Sequence, residues 1–174
     1  MKNYFATVLT GLEEVLLEEI NTKLSTTQIN KIEKGKVFFS SNLSIDYLKT
    51  LKLADNLYQV ITHFKVSKQR SSLQYLQKHV YDLYLKHFLG EGSFYVNVSR
   101  SGLHNYTRFE VAKKIMEGIK KRYPHRKIGT PRNHDIEFRL DIIDDDSLFS
   151  IRLTDTTYRF RQKQIGRASC RERV

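Results

Sequence analysis

Basic and polar side chains suited to binding an anion crowd the sequence just before a long helix. Arg100, His104 and Arg108 lie there. Thr107 and Glu110 have the spacing of a capping box, in which each side chain accepts a hydrogen bond from the other residue's amide. The free amides and the dipole of a helix N-terminus favour negative charge. These residues predict a phosphate-binding site, and an ordinary solvated helix is the alternative.

A strand before this loop and a helix after it would position the side chains. Phe94, Val96 and Val98 alternate with polar residues, as in a half-buried strand, and Gly102 gives the loop backbone freedom. The helix has one apolar and one basic face. The apolar face holds Val111, Ala112, Ile115 and Ile119, and the basic face holds Lys113, Lys114, Lys120 and Lys121. Pro124 should end the helix, because proline disfavours α-helical backbone in the residue before it.

The sequence predicts no catalytic and no metal-binding residues. It has one cysteine, Cys170, and its six histidines form no spaced pair with an acid that suggests catalysis. A glycine-rich nucleotide fingerprint is missing as well. The acidic triplet Asp144–Asp146 is predicted to be a turn and not a metal site. A hard metal needs several converging oxygen ligands, and no others are indicated.

The charge of the chain indicates a polyanionic partner. Its 174 residues include 30 Lys and Arg against 19 Asp and Glu, a formal net charge of +11. Nucleic acid is the default partner of such a surface, although a soluble basic protein without one is the alternative. No stretch has the apolar length of a signal peptide or a membrane span, so we expect a cytoplasmic protein.

The first 66 residues predict alternating strands and helices. The segments are a strand at Tyr4–Val8, a helix from a Thr10–Glu13 capping box to about Leu24, strands at Gln28–Glu33 and Lys36–Ser41, a helix at Ile45–Leu53 and a strand at Leu57–Val66. The order β-α-β-β-α-β is that of a ferredoxin-like domain.

A polar, basic segment, Ser67–Ser72, is predicted to be the domain boundary. A helix at Leu73–Leu89 follows and is broken by Gly90 and Gly92. After the central strand and helix come a basic loop, His125–His134, and a hairpin, whose two strands alternate apolar and polar residues on either side of the acidic turn. The whole pattern predicts an α+β protein.

Two parts of the sequence resemble a known enzyme family. The segment Arg100–Thr107, with Glu110 three residues on, resembles the signature of the THUMP domain in RNA guanine-N2 methyltransferases. The segments Tyr4–Glu13, Gly35–Phe39 and Leu53–Tyr58 resemble the ferredoxin-like domain at the N-terminus of the same enzymes. The resemblance covers about Lys2–Lys163. It implies a ferredoxin-like domain at 1–66 and a THUMP domain at 67–163, with helices packed on a small mixed sheet.

The resemblance implies the RNA-gripping part of a tRNA or rRNA methyltransferase, which holds the acceptor end of a structured RNA and positions the target base. The full-length enzyme would use S-adenosylmethionine. This chain has neither a cofactor pocket nor the Pro-Pro loop that would hold a flipped base, so we expect no cofactor in it and no catalysis. We expect neither a membrane nor DNA as partner.

Ten residues are predicted to contact RNA: Arg100, His104, Tyr106, Thr107, Arg108, Lys113, Lys114, Arg126, Lys127 and Arg132. The arginines and lysines would neutralise phosphates. Tyr106 would stack on a terminal base. Thr107 would serve mainly as the helix cap.

The last residues, 164–174, do not continue the family pattern. From Ile165 the composition changes abruptly and resembles a sequencing adapter translated in frame, although a natural basic arm is the alternative. Three other functions stay open. They are a stand-alone RNA-binding adaptor, the N-terminal part of a tRNA thiouridine synthase, and a protein–protein module with incidental charge.

Overall fold

The chain is an α+β protein in a computed structural model that describes residues 1–155 and 157–158. Its strands are β1 (Lys2–Thr7), β2 (Gln28–Glu33), β3 (Lys36–Ser41), β4 (Asn56–Lys65), β5 (Ser93–Ser101), β6 (Lys127–Ile128), β7 (Ile136–Ile143) and β8 (Asp146–Arg152). Its helices are α1 (Glu13–Lys23), α2 (Ile45–Leu48), α3 (Ser72–Asp82) and α4 (Arg108–Arg122). Among these helices none is long and apolar enough to cross a membrane. The predicted tail at 164–174 lies outside the described residues.

Two compact units make up the chain. The first contains Met1–Tyr58 and the described residues after Arg152, namely 153–155 and 157–158, and the second contains Gln59–Arg152. The first unit therefore combines two separate stretches of sequence. The predicted domain limits, 1–66 and 67–163, stay predictions.

The three strands that lie entirely in the first unit have the order β2-β3-β1. β3 pairs antiparallel with both β1 and β2. Leu16 and Ile20 of α1 belong to one buried core together with Val37 and Phe39 of β3. Tyr158 belongs to the same core, and its hydroxyl donates to the carbonyl oxygen of Leu51 at 2.7 Å. Burial raises the pKa of that phenol well above its usual value.

The predicted capping box at the start of α1 is wrong. Leu12 is the N-cap, and no side chain caps the helix there. The carboxylate of Glu13 instead accepts from the amides of Gly11 at 2.8 Å and Gly35 at 2.6 Å. Both glycines have positive φ, 95° and 72°. The Glu13 side chain thus links the two glycine turns, although its spacing from Thr10 is that of a capping box.

Helix α2 ends at Leu48, before the predicted end at Leu53. The carboxylate of Glu19 on α1 accepts from the amides of Lys52 at 2.8 Å and Leu53 at 2.9 Å. These amides are therefore held by a distant side chain instead of by a continued helix.

The second unit has strands in the order β4-β8-β7-β5-β6. β5 is parallel to both β7 and β6, and β7 and β8 form the predicted antiparallel hairpin. Helix α4 packs along β5, and α3 packs against α4. The buried side chains of this unit include Leu76, Val80, Phe94, Val96, Val111, Ile115, Ile119, Phe138, Leu140 and Phe149. The apolar stripes predicted for β5 and α4 thus form the core.

Two predictions for this unit need correction. Helix α3 ends at Asp82, not at Leu89, because Leu83 adopts extended backbone and the Tyr123 hydroxyl accepts from the Leu85 amide at 2.8 Å. The predicted loop at 125–134 contains the two-residue strand β6, which pairs with Ser93 and Phe94. A strand this short has no periodicity that a sequence could reveal.

Helices α3 and α4 lie close together at Gly118. A Cβ atom at that position would lie 2.5 Å from the carbonyl oxygen of Gln77 on α3. Glycine is therefore required here by a backbone neighbour that cannot rotate away.

We expect Gly118→Ala to lower the free energy of unfolding by about 1–3 kcal/mol, the usual cost of overpacking a tight contact. The higher helix propensity of alanine offsets only part of this loss. Urea unfolding measures it. Gly90→Ala is the control, since its nearest neighbour would be Ile136 at 4.0 Å. Equal midpoints for the two variants would show that the helices separate at no cost.

Candidate nucleic-acid interface

The start of α4 has the predicted capping box. The Thr107 hydroxyl accepts from the Glu110 amide at 3.2 Å, and the Glu110 carboxylate accepts from the Thr107 amide at 2.8 Å. Hydrogen bonds from the backbone and hydroxyl of Thr107, and the charge of Arg70, lower the pKa of Glu110. Thr107 therefore acts as a cap, as the sequence predicted.

The loop before α4 is fastened to two other segments. The Asn105 amide donates to the Lys68 carbonyl at 2.9 Å, and its side chain donates to Gln69 at 3.1 Å. On the other side, His104 Nε2 lies 2.7 Å from the carbonyl oxygen of Asp144 in the β7–β8 turn. The predicted boundary segment at 67–72 is thus part of this site, although its sequence signalled only a linker.

Gly102 allows the loop to approach that turn. It has a φ of 98°, and a Cβ atom there would lie 2.7 Å from Oδ1 of Asp144. The Asp144 amide donates to the Ser101 carbonyl at 3.1 Å, which closes the contact. The loop and the acidic turn therefore form one structure.

Tyr106 is a structural residue of this loop, and the predicted stacking role is wrong. Only 3% of its surface is exposed, so its ring cannot receive a base. Its hydroxyl donates to the Ser67 carbonyl at 3.1 Å, and its ring centroid lies 5.2 Å from that of His104. Burial raises the pKa of the phenol, and the nearby Arg100 opposes this shift.

Much of the positive charge near the start of α4 is already paired. Arg70 pairs with Glu110, and Lys68 Nζ lies 3.2 Å from Asp144 Oδ1. One guanidinium nitrogen of Arg100 lies 3.5 Å from the carbonyl oxygens of Gly102 and His104. A phosphate at this helix end would compete with these acids and carbonyl groups.

Unlike their neighbours, Arg108 and Lys113 could bind an anion without first leaving an acidic partner among the described residues. Both side chains are exposed, and neither has an acidic partner within the described part of the chain. Lys114 is half-buried, and its ammonium group lies 2.8 Å from Glu117. The predicted residues on α4 therefore differ in the charge that they can offer.

The predicted RNA-binding residues fall into two groups at opposite ends of β5. Arg100 lies near the C-terminal end of the strand, beside the loop that contains His104. Lys127 lies at the other end, because β6 pairs with Ser93 and Phe94. Nine strand residues span roughly 25 Å at the usual rise, so a single phosphate cannot contact both groups. Helix α4 runs between the two ends.

The chain segment between these ends has a strongly positive formal charge. We call residues 113–132 the basic strip: they contain eight Lys and Arg and one acid, Glu117, a formal charge of +7. The cations are Lys113, Lys114, Lys120, Lys121, Arg122, Arg126, Lys127 and Arg132. Residues 59–152 contain 17 Lys and Arg against 10 Asp and Glu, also +7. The formal charge of the strip thus equals the net formal charge of the whole second unit.

Contacts within the strip hold part of it in place. Lys120 Nζ donates to the carbonyl oxygens of Pro124 at 2.6 Å and Arg126 at 2.7 Å, which closes the turn after α4. Lys121 and Arg122 lie over the ring of Tyr81, at 5.7 and 5.5 Å from its centroid. Lys127 and Arg132 are exposed beyond this turn. The strip therefore offers a row of cations on a fixed backbone.

Two curated proteins with sequences similar to this chain are RNA methyltransferases. No protein-family model matches the chain. It is 40% identical over 58 residues to U6 snRNA (guanine-N(2))-methyltransferase THUMPD2 of Bos taurus, covering 33% of this chain and 11% of that protein. It is 25% identical over 168 residues to tRNA (guanine(6)-N2)-methyltransferase of Methanocaldococcus jannaschii, covering 89% of this chain and 41% of that protein. The chain thus spans less than half the length of these curated relatives.

Solved structures share the fold. TrmN from Thermus thermophilus superposes with a TM-score of 0.76 at 24% identity, covering 89% of this chain and 46% of TrmN. A 4-thiouridine synthetase in complex with RNA and ATP superposes with a TM-score of 0.59 at 15% identity, covering 87% of this chain and 42% of the synthetase. The chain is therefore similar in sequence to guanine-N2 RNA methyltransferases and similar in fold to both structures.

We expect Glu110→Gln to reduce the acid sensitivity of folding. The pKa of Glu110 in the folded protein lies below its usual value of 4.5. Its charge therefore stabilises the fold fully above pH 4.5, and this stabilisation is lost as the pH falls through the lowered pKa. Glutamine can still cap the helix but does not titrate.

The measurement for this variant is urea unfolding at pH 6 and about pH 3. Wild type should lose more stability between the two pH values than Glu110→Gln loses. Glu14→Gln, an exposed substitution on α1, is the matched control. If the two variants lose as much as wild type, the capping carboxylate does not contribute through its charge.

We expect Tyr106→Phe to lower the free energy of unfolding by about 0.5–1 kcal/mol without changing RNA affinity, because the variant loses one buried hydrogen bond. The loss is at the low end of the range since the Ser67 carbonyl also accepts from Ser72 at 2.8 Å. Thermal unfolding and RNA titration measure the two quantities. Weaker RNA binding at unchanged stability would instead place this hydroxyl in the RNA contact.

Proposed function

We propose that this chain is the RNA-binding N-terminal part of an S-adenosylmethionine-dependent RNA guanine-N2 methyltransferase, with a ferredoxin-like domain followed by a THUMP domain. The basic strip is the observation that carries the proposal, because its charge is concentrated on one helix and the loop after it. Similarity to two guanine-N2 methyltransferases supplies the reaction class. The RNA complex of the 4-thiouridine synthetase supports RNA as the partner of this fold.

The strip would bind RNA through its phosphate backbone. Each lysine or arginine that neutralises a phosphate releases counterions, so binding weakens as salt rises. Lys113 near the start of α4, and Lys127 and Arg132 beyond its end, are exposed cations along this path. Because α4 is packed against β5 and α3, the backbone that carries Lys113 is held in place before RNA arrives. The strip would thus hold a structured tRNA or rRNA at a set distance from the catalytic site.

The other predicted contacts have different tasks in this proposal. Arg108 remains a phosphate ligand, and Arg100 and Lys114 would contribute after leaving their present partners. His104, Tyr106 and Thr107 shape the loop that presents Arg108. Arg126 follows the turn closed by Lys120 and would supplement Lys127 and Arg132.

We propose no S-adenosylmethionine site among the described residues. A strand, a loop and a helix are present in β5 and α4, but the buried ring of Tyr106 and the contacts of Asn105 fill the loop. We therefore assign the cofactor and the methyl transfer to a catalytic domain elsewhere in the full-length enzyme, and no catalytic residue to this chain.

The reaction class can be tested by reading the source gene past the codon for Gln164. We expect the frame to continue into a cofactor-binding domain with a polar-Pro-Pro-aromatic loop. A stop codon at that point would favour a stand-alone RNA-binding adaptor. A Ser-Gly-Gly loop would favour a thiouridine synthase, and either finding would remove methyl transfer.

We expect the double variant Lys127→Ala/Arg132→Ala to bind RNA more weakly and with less dependence on salt. Each lost phosphate contact should lower the slope of log K against log salt by about one, so the slope should fall by about two. Fluorescence-anisotropy titration of a transcribed tRNA at several salt concentrations measures both effects.

The matched control is Lys2→Ala/Lys34→Ala, which removes the same charge from exposed positions of the first unit. We expect a much smaller change in the salt slope for this pair. Equal effects of the two double variants would attribute binding to overall charge, and the basic strip would lose its role as the specific RNA surface.

A further inference from the structure

An aromatic ring is exposed at the start of α4, where the buried Tyr106 cannot serve. Phe109 is 70% exposed, and Leu103 in the preceding loop is 89% exposed. The apolar residues on the inner face of the same helix, such as Val111 and Ile115, are fully buried. A single exposed apolar side chain is common on protein surfaces. The case for Phe109 therefore rests on its cationic neighbours and on its place at the start of α4.

The surroundings of Phe109 are cationic. The guanidinium of Arg108 lies over the ring, 4.9 Å from its centroid. Phe109 makes no other ring contact among the residues that the structure describes. Lys113 is four residues further along α4, which places it beside Phe109 on the helix surface. The ring therefore extends the basic strip to the helix N-terminus.

The backbone that carries the ring is fixed in advance. The capping box of Thr107 and Glu110 sets the first turn of α4, and the loop before it is bonded to Lys68 and Asp144. A ring on such a turn needs no ordering of the backbone when it binds a flat partner.

We propose that Phe109 stacks on an unpaired base of the bound RNA while Arg108 contacts the neighbouring phosphate. This inference rests on the proposed function. An aromatic ring flanked by arginine is the usual platform for single-stranded nucleic acid, and it accepts any base because every base has a flat face. Bases inside a duplex are stacked on each other, so the platform selects an unpaired nucleotide at an end or a loop.

Two hairpin RNAs test this proposal, one blunt and one with a short single-stranded overhang that carries 2-aminopurine, a base whose fluorescence falls when it stacks. Overhangs at the 3′ and 5′ ends are measured separately. Wild type should bind one overhang hairpin more tightly than the blunt hairpin and quench its fluorescence. Phe109→Ala should lower the ratio of affinities for the overhang and blunt hairpins about tenfold, which is within the range measured for base–aromatic stacking. It should also abolish most of the quenching. Its affinity for the blunt hairpin should stay unchanged.

Two further variants separate stacking from apolar contact. Phe109→Tyr keeps a flat ring and should keep the preference, whereas Phe109→Leu keeps apolar surface and should lose it. Tyr84→Ala is the control, because Tyr84 is another exposed aromatic residue of the second unit, at 59% exposure, outside the basic strip. Thermal unfolding of each variant checks that the fold is kept.

Several outcomes would overturn the inference. The first is that wild type binds blunt and overhang hairpins with equal affinity. The second is that Phe109→Ala keeps the preference of wild type, or loses affinity equally for both hairpins. The third is that wild type self-associates and Phe109→Ala abolishes the self-association. In these cases the basic strip can still bind RNA, as the Lys127→Ala/Arg132→Ala titration reports separately. Failure of wild type to bind any of the RNAs would remove both proposals.

Discussion

The buried Tyr106, whose hydroxyl donates to the Ser67 carbonyl, is one of several contacts that together fix the connection between β5 and α4. It joins the segment before α3 to the loop before α4, and His104 joins the same loop to the β7–β8 turn. The start of α4 is therefore set by three segments that are distant in sequence. The direction of the helix, and with it the line of the basic strip, depends on this small group of contacts.

Sequence patterns predicted best where local chemistry and burial agree. The capping box of α4, the apolar stripes of β5 and α4, and the β7–β8 hairpin all have signals within a few residues, and all are present. The failures involve partners that no local pattern contains. Glu13 has the spacing of a cap, but its carboxylate accepts from the amide of Gly35. Tyr106 was predicted to stack on a base, because no local pattern reveals its hydrogen bond to the Ser67 carbonyl, 39 residues earlier. Phe109 could have been suspected from its place beside Arg108, outside the apolar face of the helix.

The distribution of charge matters more than its amount. Near the loop, Lys68 pairs with Asp144 and Arg70 pairs with Glu110, whereas the sequence of the strip from Lys113 to Arg132 contains one acid. A low local density of acids lets the field of the strip extend into solvent, where it can attract an anionic chain before contact. The acidic turn at the other end limits the positive region, so a long polyanion would favour one lengthwise placement.

The first unit is discontinuous, because it needs the chain after Arg152. The Leu153 amide donates to Leu57, the Thr154 hydroxyl accepts from the Leu57 amide, and the Tyr158 hydroxyl reaches Leu51. Synthesis proceeds from the N-terminus, so the first segment to leave the ribosome waits for nearly a hundred residues before its last core side chain arrives. A nascent chain that stalls within the second unit would leave both units unfinished, and it would offer unpaired strands to chaperones and proteases.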